Sequence, residues 1–150
     1  IIITHAVYAK EVIKTKGSHI ISEAIDKLKA KGVNIDYRFY IGKPHEFIIE
    51  QISSADIHID QIIYGWHGTI SAEAMALGIP TICYISPEFE SFMGELPLFN
   101  ANKDNLVDKI EQLIFNLNLR KELSNKGVEY VSKVHSKKVI AKKMLNVYKN

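Results

Sequence analysis

The sequence predicts a three-layer α/β domain: a parallel sheet of about five strands in the order 2-1-3-4-5, helices on both faces and a helical C-terminus. Three observations carry that expectation. Short apolar runs, several of them unbroken, alternate with segments of helical spacing, as expected for strands buried on both faces. Glycine and proline punctuate the joints, most clearly at Gly42-Lys43-Pro44 and Gly78-Ile79-Pro80. From Asp104 onward the apolar spacing is helical throughout.

Taken in order, Ile1–Ala6 reads as a buried first strand and Val7–Thr15 as a polar, lysine-bearing loop. Lys16-Gly17-Ser18 opens a helix with Ser18 as its expected N-cap. Ile20, Ile21, Ala24, Ile25 and Leu28 form its apolar face, and Gly32 ends it. Tyr37–Ile41 is the second strand. Gly42-Lys43-Pro44 then turns into a helix whose Phe47, Ile48, Ile52 and Ala55 face inward. Asp56–Asp60 and Thr81–Ile85 are the third and fourth strands. Glu88–Gly94 is a short helix and Leu96–Asn100 a short fifth strand. Leu106, Val107, Ile110, Leu113 and Ile114 form the next helical stripe. Leu119–Ser124 and Val128–Val134 follow, with a break expected at Gly127, and Lys137–Tyr148 ends the chain's pattern.

Strand order 2-1-3-4-5 sets the first and third strands side by side at a topological switch point, where open α/β sheets bind ligands beyond the carboxyl ends. The loops leaving those ends are Val7–Thr15 and Gln61–Gly68. The second runs into a short Ala-rich helix, behind the glycines Gly65 and Gly68 and with Gly78 and Pro80 as its stop signals. Free backbone N–H groups and the positive end of a helix dipole meet there, which suits a phosphate. Glu73, one turn inside, is placed to accept hydrogen bonds from ribose hydroxyls. Each residue also has a plainer role: Gly65 and Gly68 as turn residues, Thr69 as a helix cap, Glu73 as an exposed acid near the dipole. His67 borders the loop glycine, as a ligand contact or a solvated side chain, and His5 points toward the same crevice. His19, His45, His58 and His135 lack metal-ligand spacing and read as structural.

Gly68 through Pro80, with Glu73-Ala74-Met75-Ala76-Leu77-Gly78-Ile79-Pro80 at its heart, resembles the signature of the group 1 retaining GT-B glycosyltransferases. The similarity continues through Ala55-Asp56 and Thr81-Ile82, and more weakly at Lys16-Gly17-Ser18 and in the C-terminal helices. It implies a Rossmann-like nucleotide-sugar-binding domain, the C-terminal half of a two-domain enzyme whose N-terminal half holds the acceptor. It also implies that Lys16 stabilises the departing diphosphate without a metal or cofactor, beside a family arginine that has no match here. Lys10 is the nearest cation to that position and Lys14 the next. Spacing alone leaves Lys16 equally open to a surface role, and the resemblance favours the functional one. Gly42, after the second strand, lies where similar enzymes set the base against main-chain groups. One departure is plain: the first glutamate of the family pair, which contacts the donor sugar, corresponds to Gly65.

Composition narrows the remaining classes. The 150 residues suffice for one domain with a sizeable core, and the chain opens without Met, as expected of a fragment cut at a domain boundary. No apolar run approaches the ~20 residues of a membrane span. The single cysteine, Cys83, excludes an internal disulfide, fits a cytoplasmic protein and is expected in the core. Residues 1–100 hold 8 Lys/Arg against 12 Asp/Glu, a net of −4, and residues 101–150 hold 11 against 5, a net of +6. The lysines at 133, 137, 138, 142, 143 and 149 suit a solvated helix face, docking on a second domain, or an anionic membrane surface. No aromatic-basic interleaving points to nucleic acid. Two rivals remain: a non-enzymatic flavodoxin- or receiver-like interaction module, and a GT-B nucleotide-sugar epimerase. The first strand lacks a receiver's acidic cluster, and the loop after it lacks a flavodoxin's Ser/Thr-rich phosphate site.

Overall fold

The computed structural model describes residues 1–93 and 96–148. Gly94 and Lys149 of the expected helices therefore lie outside the described residues. The elements run β1 (Ile2–Val7), a 3-10 turn (Lys10–Val12), α1 (Ile13–Lys16), α2 (Ser18–Ala30), β2 (Asp36–Ile41), α3 (His45–Ser53) and β3 (Ile57–Ile59). They continue with α4 (Thr69–Ala76), β4 (Thr81–Cys83), α5 (Pro87–Met93), β5 (Phe99–Asn100), α6 (Leu106–Phe115), α7 (Leu117–Val134) and α8 (Lys137–Tyr148). The sheet has five strands in the order β2-β1-β3-β4-β5, every pair parallel. The expected Rossmann-like α/β architecture is the one observed.

Period-two alternation assigns the two faces of the sheet. Ile3, Ile57, Ile59 and Ile82 pack with Ile21, Ile25 and Leu28 of α2 and Leu106, Ile110 and Leu113 of α6. On the opposite face Ala6 packs with Ile48 and Ile52 of α3 and Ala74 of α4. Met75, Cys83, Ile85 and Leu98 extend the core toward α7. Cys83 is buried there as expected, its thiol pushed up to about 12, chiefly by burial. No helix among the described residues is long and apolar enough to cross a membrane.

Several local expectations are corrected. The segment 7–15 is not an open loop: it winds into the 3-10 turn and α1, which ends at Gly17 in the left-handed region, φ 75°. Gly17, not Ser18, caps α2, and Ser18 is buried in its first turn with Oγ bonded to His5. Gly68 likewise takes the cap of α4, so Thr69 is the first helical residue. Phe47 is 37% exposed and meets Tyr40 edge-on instead of entering the core. Gly127 does not break the C-terminal helices, since α7 runs straight through it. A Cβ there would lie 3.2 Å from Met75 Cβ, so glycine lets α7 approach α4 closely. That close packing offsets the ~1 kcal/mol propensity cost of a mid-helix glycine.

Candidate functional site

The carboxyl ends of β1 and β3 open into a cleft of about 310 Å³, at the switch point the strand order predicts. Ala6, Val7 and Tyr8 line it from β1, Lys16 from the end of α1, and Lys43, His45 and Ile48 from the start of α3. Gly68, Thr69, Ile70 and Glu73 line it from α4. Four residues singled out from the sequence, Lys16, Gly68, Thr69 and Glu73, thus meet in one place. The first-turn N–H groups of Thr69 and Ile70 have no intrahelical carbonyl to reach, which leaves them for a ligand.

The polar centre beneath the cleft is Asp60, fully buried just past β3. Its Oδ1 accepts a bond from Lys16 Nζ at 2.6 Å, and its Oδ2 accepts from Gly68 N–H at 3.0 Å and Ser71 Oγ at 2.6 Å. Burial alone would raise the carboxyl's pKa. The Lys16 ammonium and the hydrogen bonds from Lys16 and Ser71 hold it below the usual carboxylate range. Lys16 Nζ also reaches the Ala6 carbonyl at 3.3 Å, and its own carbonyl accepts from Ile62 N–H at 2.9 Å. The β1 and β3 loops are therefore stitched together through Lys16. In the sequence Asp60 reads only as the last residue of the third strand, and nothing local pairs it with a lysine 44 residues away.

Gln61, beside it, braces the glycine loop. Its Nε2 donates to the carbonyls of Trp66 and Tyr84, and its Oε1 accepts from Tyr64 N–H at 2.6 Å. Gly65 sits in that loop at φ 81°, with its carbonyl bonded to Ser86 N–H. A Cβ at Gly65 would stand 3.1 Å from Ser86 Cβ. Left-handed backbone and a close neighbour together exclude an unstrained glutamate at this position.

The other expected residues fall as follows. Glu73 Oε1 pairs with His45 Nε2 at 2.8 Å across the cleft mouth, a contact invisible in the sequence, where His45 reads as structural. Lys10 is exposed on the 3-10 turn and does not line the cleft. Gly42, at φ 61°, does not line the cleft itself; it precedes Lys43, which does, and donates its N–H to the Val7 carbonyl at 3.0 Å. His67 turns away from the cleft and stacks on Trp66, with its ring edge toward His135. Its Nε2 is buried and has no hydrogen-bond partner among the described residues.

His5 does not point into the crevice. It is fully buried, Nδ1 bonded to the Ile59 carbonyl and Nε2 to Ser18 Oγ, both at 2.8 Å. Burial lowers its pKa to about 4. His58 is equally buried, bonded to Thr4 Oγ1 at 3.1 Å, and lowered to about 3, again chiefly by burial. Both are neutral core groups. Among the described residues no three His, Cys, Asp or Glu side chains gather as a metal site. The chain matches no protein-family model and no curated protein.

Proposed function

We propose that this domain binds the donor of a retaining GT-B glycosyltransferase, taking a nucleoside-diphosphate sugar for transfer to an acceptor held by an N-terminal domain. The observation that carries this is the meeting of Lys16, Gly68, Thr69 and Glu73 in one cleft at the switch point. An ammonium and the free N–H groups of α4 suit a diphosphate, and they stabilise the charge a departing diphosphate gains. Glu73 has one oxygen on His45 and the other free for a ribose hydroxyl. Val7, Ile48 and Ile70 give the cleft apolar walls against which a nucleoside can rest.

Calorimetric titration of the 150-residue chain with a panel of nucleoside diphosphates tests this. At least one should bind, and tighter than its free nucleoside. Absence of binding across the panel would remove the donor role. Because this scheme has the acceptor held by the N-terminal domain, the 150 residues should transfer sugar poorly or not at all. Robust turnover by them would overturn the two-domain scheme.

The same scheme gives α8 a docking role. None of its residues is buried, and Met144, Leu145, Val147 and Tyr148 are more than half exposed beside Lys137, Lys138, Lys142 and Lys143. Its apolar side suits the N-terminal domain, and its lysines suit an anionic membrane. Salt-sensitive sedimentation with anionic vesicles, abolished when the four lysines become Gln, separates the membrane from the domain.

A further inference from the structure

Two lysines line the cleft, and they differ in what already neutralises them. Lys16 is paired at 2.6 Å with the fully buried Asp60. An ion pair presents a dipole to an approaching ligand, and its field fades faster with distance than that of a single charge. Two of the three Lys16 donors are also committed, to Asp60 and to the Ala6 carbonyl. Lys43, exposed in the turn between β2 and α3, has no hydrogen bond or ion pair among the described residues. The one carboxylate lining the cleft, Glu73, is engaged by His45. Lys43 is therefore the uncompensated lysine of the cleft among the described residues.

Resting on the nucleoside-diphosphate function proposed above, we infer that Lys43 is the charge that draws the diphosphate into the cleft, while Lys16 serves as a fixed hydrogen-bond donor. The division follows from the geometry. Lys16 is immobilised by a buried partner, so it meets a phosphate without reorganising, but brings little net charge. Lys43 brings a full charge on a flexible stem, and part of its attraction is lost to ordering that stem. Salt separates the two roles. A lone exposed charge is screened once the Debye length shrinks to a few ångströms, and a short hydrogen bond is not.

The probes are inorganic pyrophosphate, which needs no base recognition, and the tightest-binding member of a nucleoside-diphosphate panel. Affinities are measured by calorimetry at about 20 mM and about 500 mM sodium chloride, with each variant's fold checked by circular dichroism. Lys43→Gln should lose about tenfold in affinity at low salt and about threefold or less at high salt. Lys43→Arg should restore most of the loss. Lys103→Gln, the same change of net charge in the turn before α6, should shift affinity by less than about twofold. Lys16→Gln should lose affinity at both salt concentrations, because it removes a short hydrogen-bond donor and leaves the Asp60 carboxylate beneath the cleft without its counter-charge. Equal low-salt affinities for Lys43→Gln and Lys103→Gln would overturn the inference while leaving the nucleotide function standing. If the unaltered chain binds neither pyrophosphate nor any nucleoside diphosphate, the function itself fails.

Discussion

The two faces of the sheet are built on different principles. Toward α2 and α6 the strands present Ile3, Ile57, Ile59 and Ile82, a mainly aliphatic surface with the buried His5, bonded to Ser18, at its edge. Toward α3 and α4 the same strands present Thr4, His58 and Thr81 in one register-aligned row, with Asp60 and Cys83 beyond. All five are fully buried. Burying such groups is costly unless each finds a partner: Thr4 pairs with His58, and Asp60 with Lys16, Gly68 and Ser71, while His58 Nε2 finds none among the described residues. The polar face is also the one beneath the cleft. A polar core next to a ligand site fixes loops in a way that aliphatic packing cannot, because a hydrogen bond has direction.

The sharpest way to break this comparison is to remove one side chain from each face. Asp60→Ala leaves the Lys16 ammonium, the Gly68 N–H and the Ser71 hydroxyl without their acceptor, and should cost about 3–5 kcal/mol. Ile57→Val on the aliphatic face should cost about 0.5–1.5 kcal/mol. Urea denaturation reads both. Similar costs would mean the polar network is not the stronger determinant.

Acid should act on both faces, through His58 on the polar one and through His5 on the one toward α2. His5 and His58 titrate at about 4 and about 3 in the fold, against 6.5 unfolded, so the unfolded chain binds more protons between those values. Their contribution is complete above about pH 6.5 and is lost as pH falls toward 4 for His5 and 3 for His58. The slope is up to about 1.4 kcal/mol per pH unit for each histidine. Urea midpoints should change little from pH 7.5 to about pH 6.5 and fall from there to pH 5, and His58→Gln should remove about half that fall. A flat profile in the unaltered protein would place these rings in contact with water.

A smaller effect is expected in the glycine loop. Gly65→Glu, which installs the glutamate that the sequence resemblance leads one to expect there, should cost about 1–3 kcal/mol from its left-handed backbone and the Ser86 contact. Nucleoside-diphosphate affinity should not improve. A stable Gly65→Glu variant with tighter binding would show that the loop rearranges freely. Smallest for the fold is Glu73→Gln, whose exposed pair with His45 contributes at most about 0.5 kcal/mol. Its effect should appear in binding instead, as a loss on the order of 1.5–3 kcal/mol toward a ribonucleoside diphosphate. Unchanged affinity by calorimetry would take Glu73 out of the site.

Much of the site's scaffold is legible in the sequence. The unit from Ile57 to Cys83 announces itself because strand, glycine turn, Ala-rich helix and Gly-Ile-Pro stop are all local signals, each set by backbone preference. The errors share a different cause. Gly127 carries the signal of a helix break, yet its neighbour Met75 lies 52 positions away, and only that neighbour explains it. His5 ends a strand that leads to the crevice, but alternation turns its ring to the opposite face, onto Ser18. Ser18 looks like a cap until that buried ring takes its hydroxyl.

The sequence by itself determined the alternation of strands and helices, the parallel sheet and its switch point, because hydrophobic period and turn chemistry act over a few residues. It also marked Lys16, Gly68, Thr69 and Glu73 as candidates. Tertiary structure decided what those residues are connected to. Asp60 captures Lys16 across 44 positions, His45 captures Glu73 across 28, and Lys43 is left uncompensated among the described residues. Pairings of that kind depend on which side chains the closed fold brings within about 3 Å, and no local pattern encodes that distance.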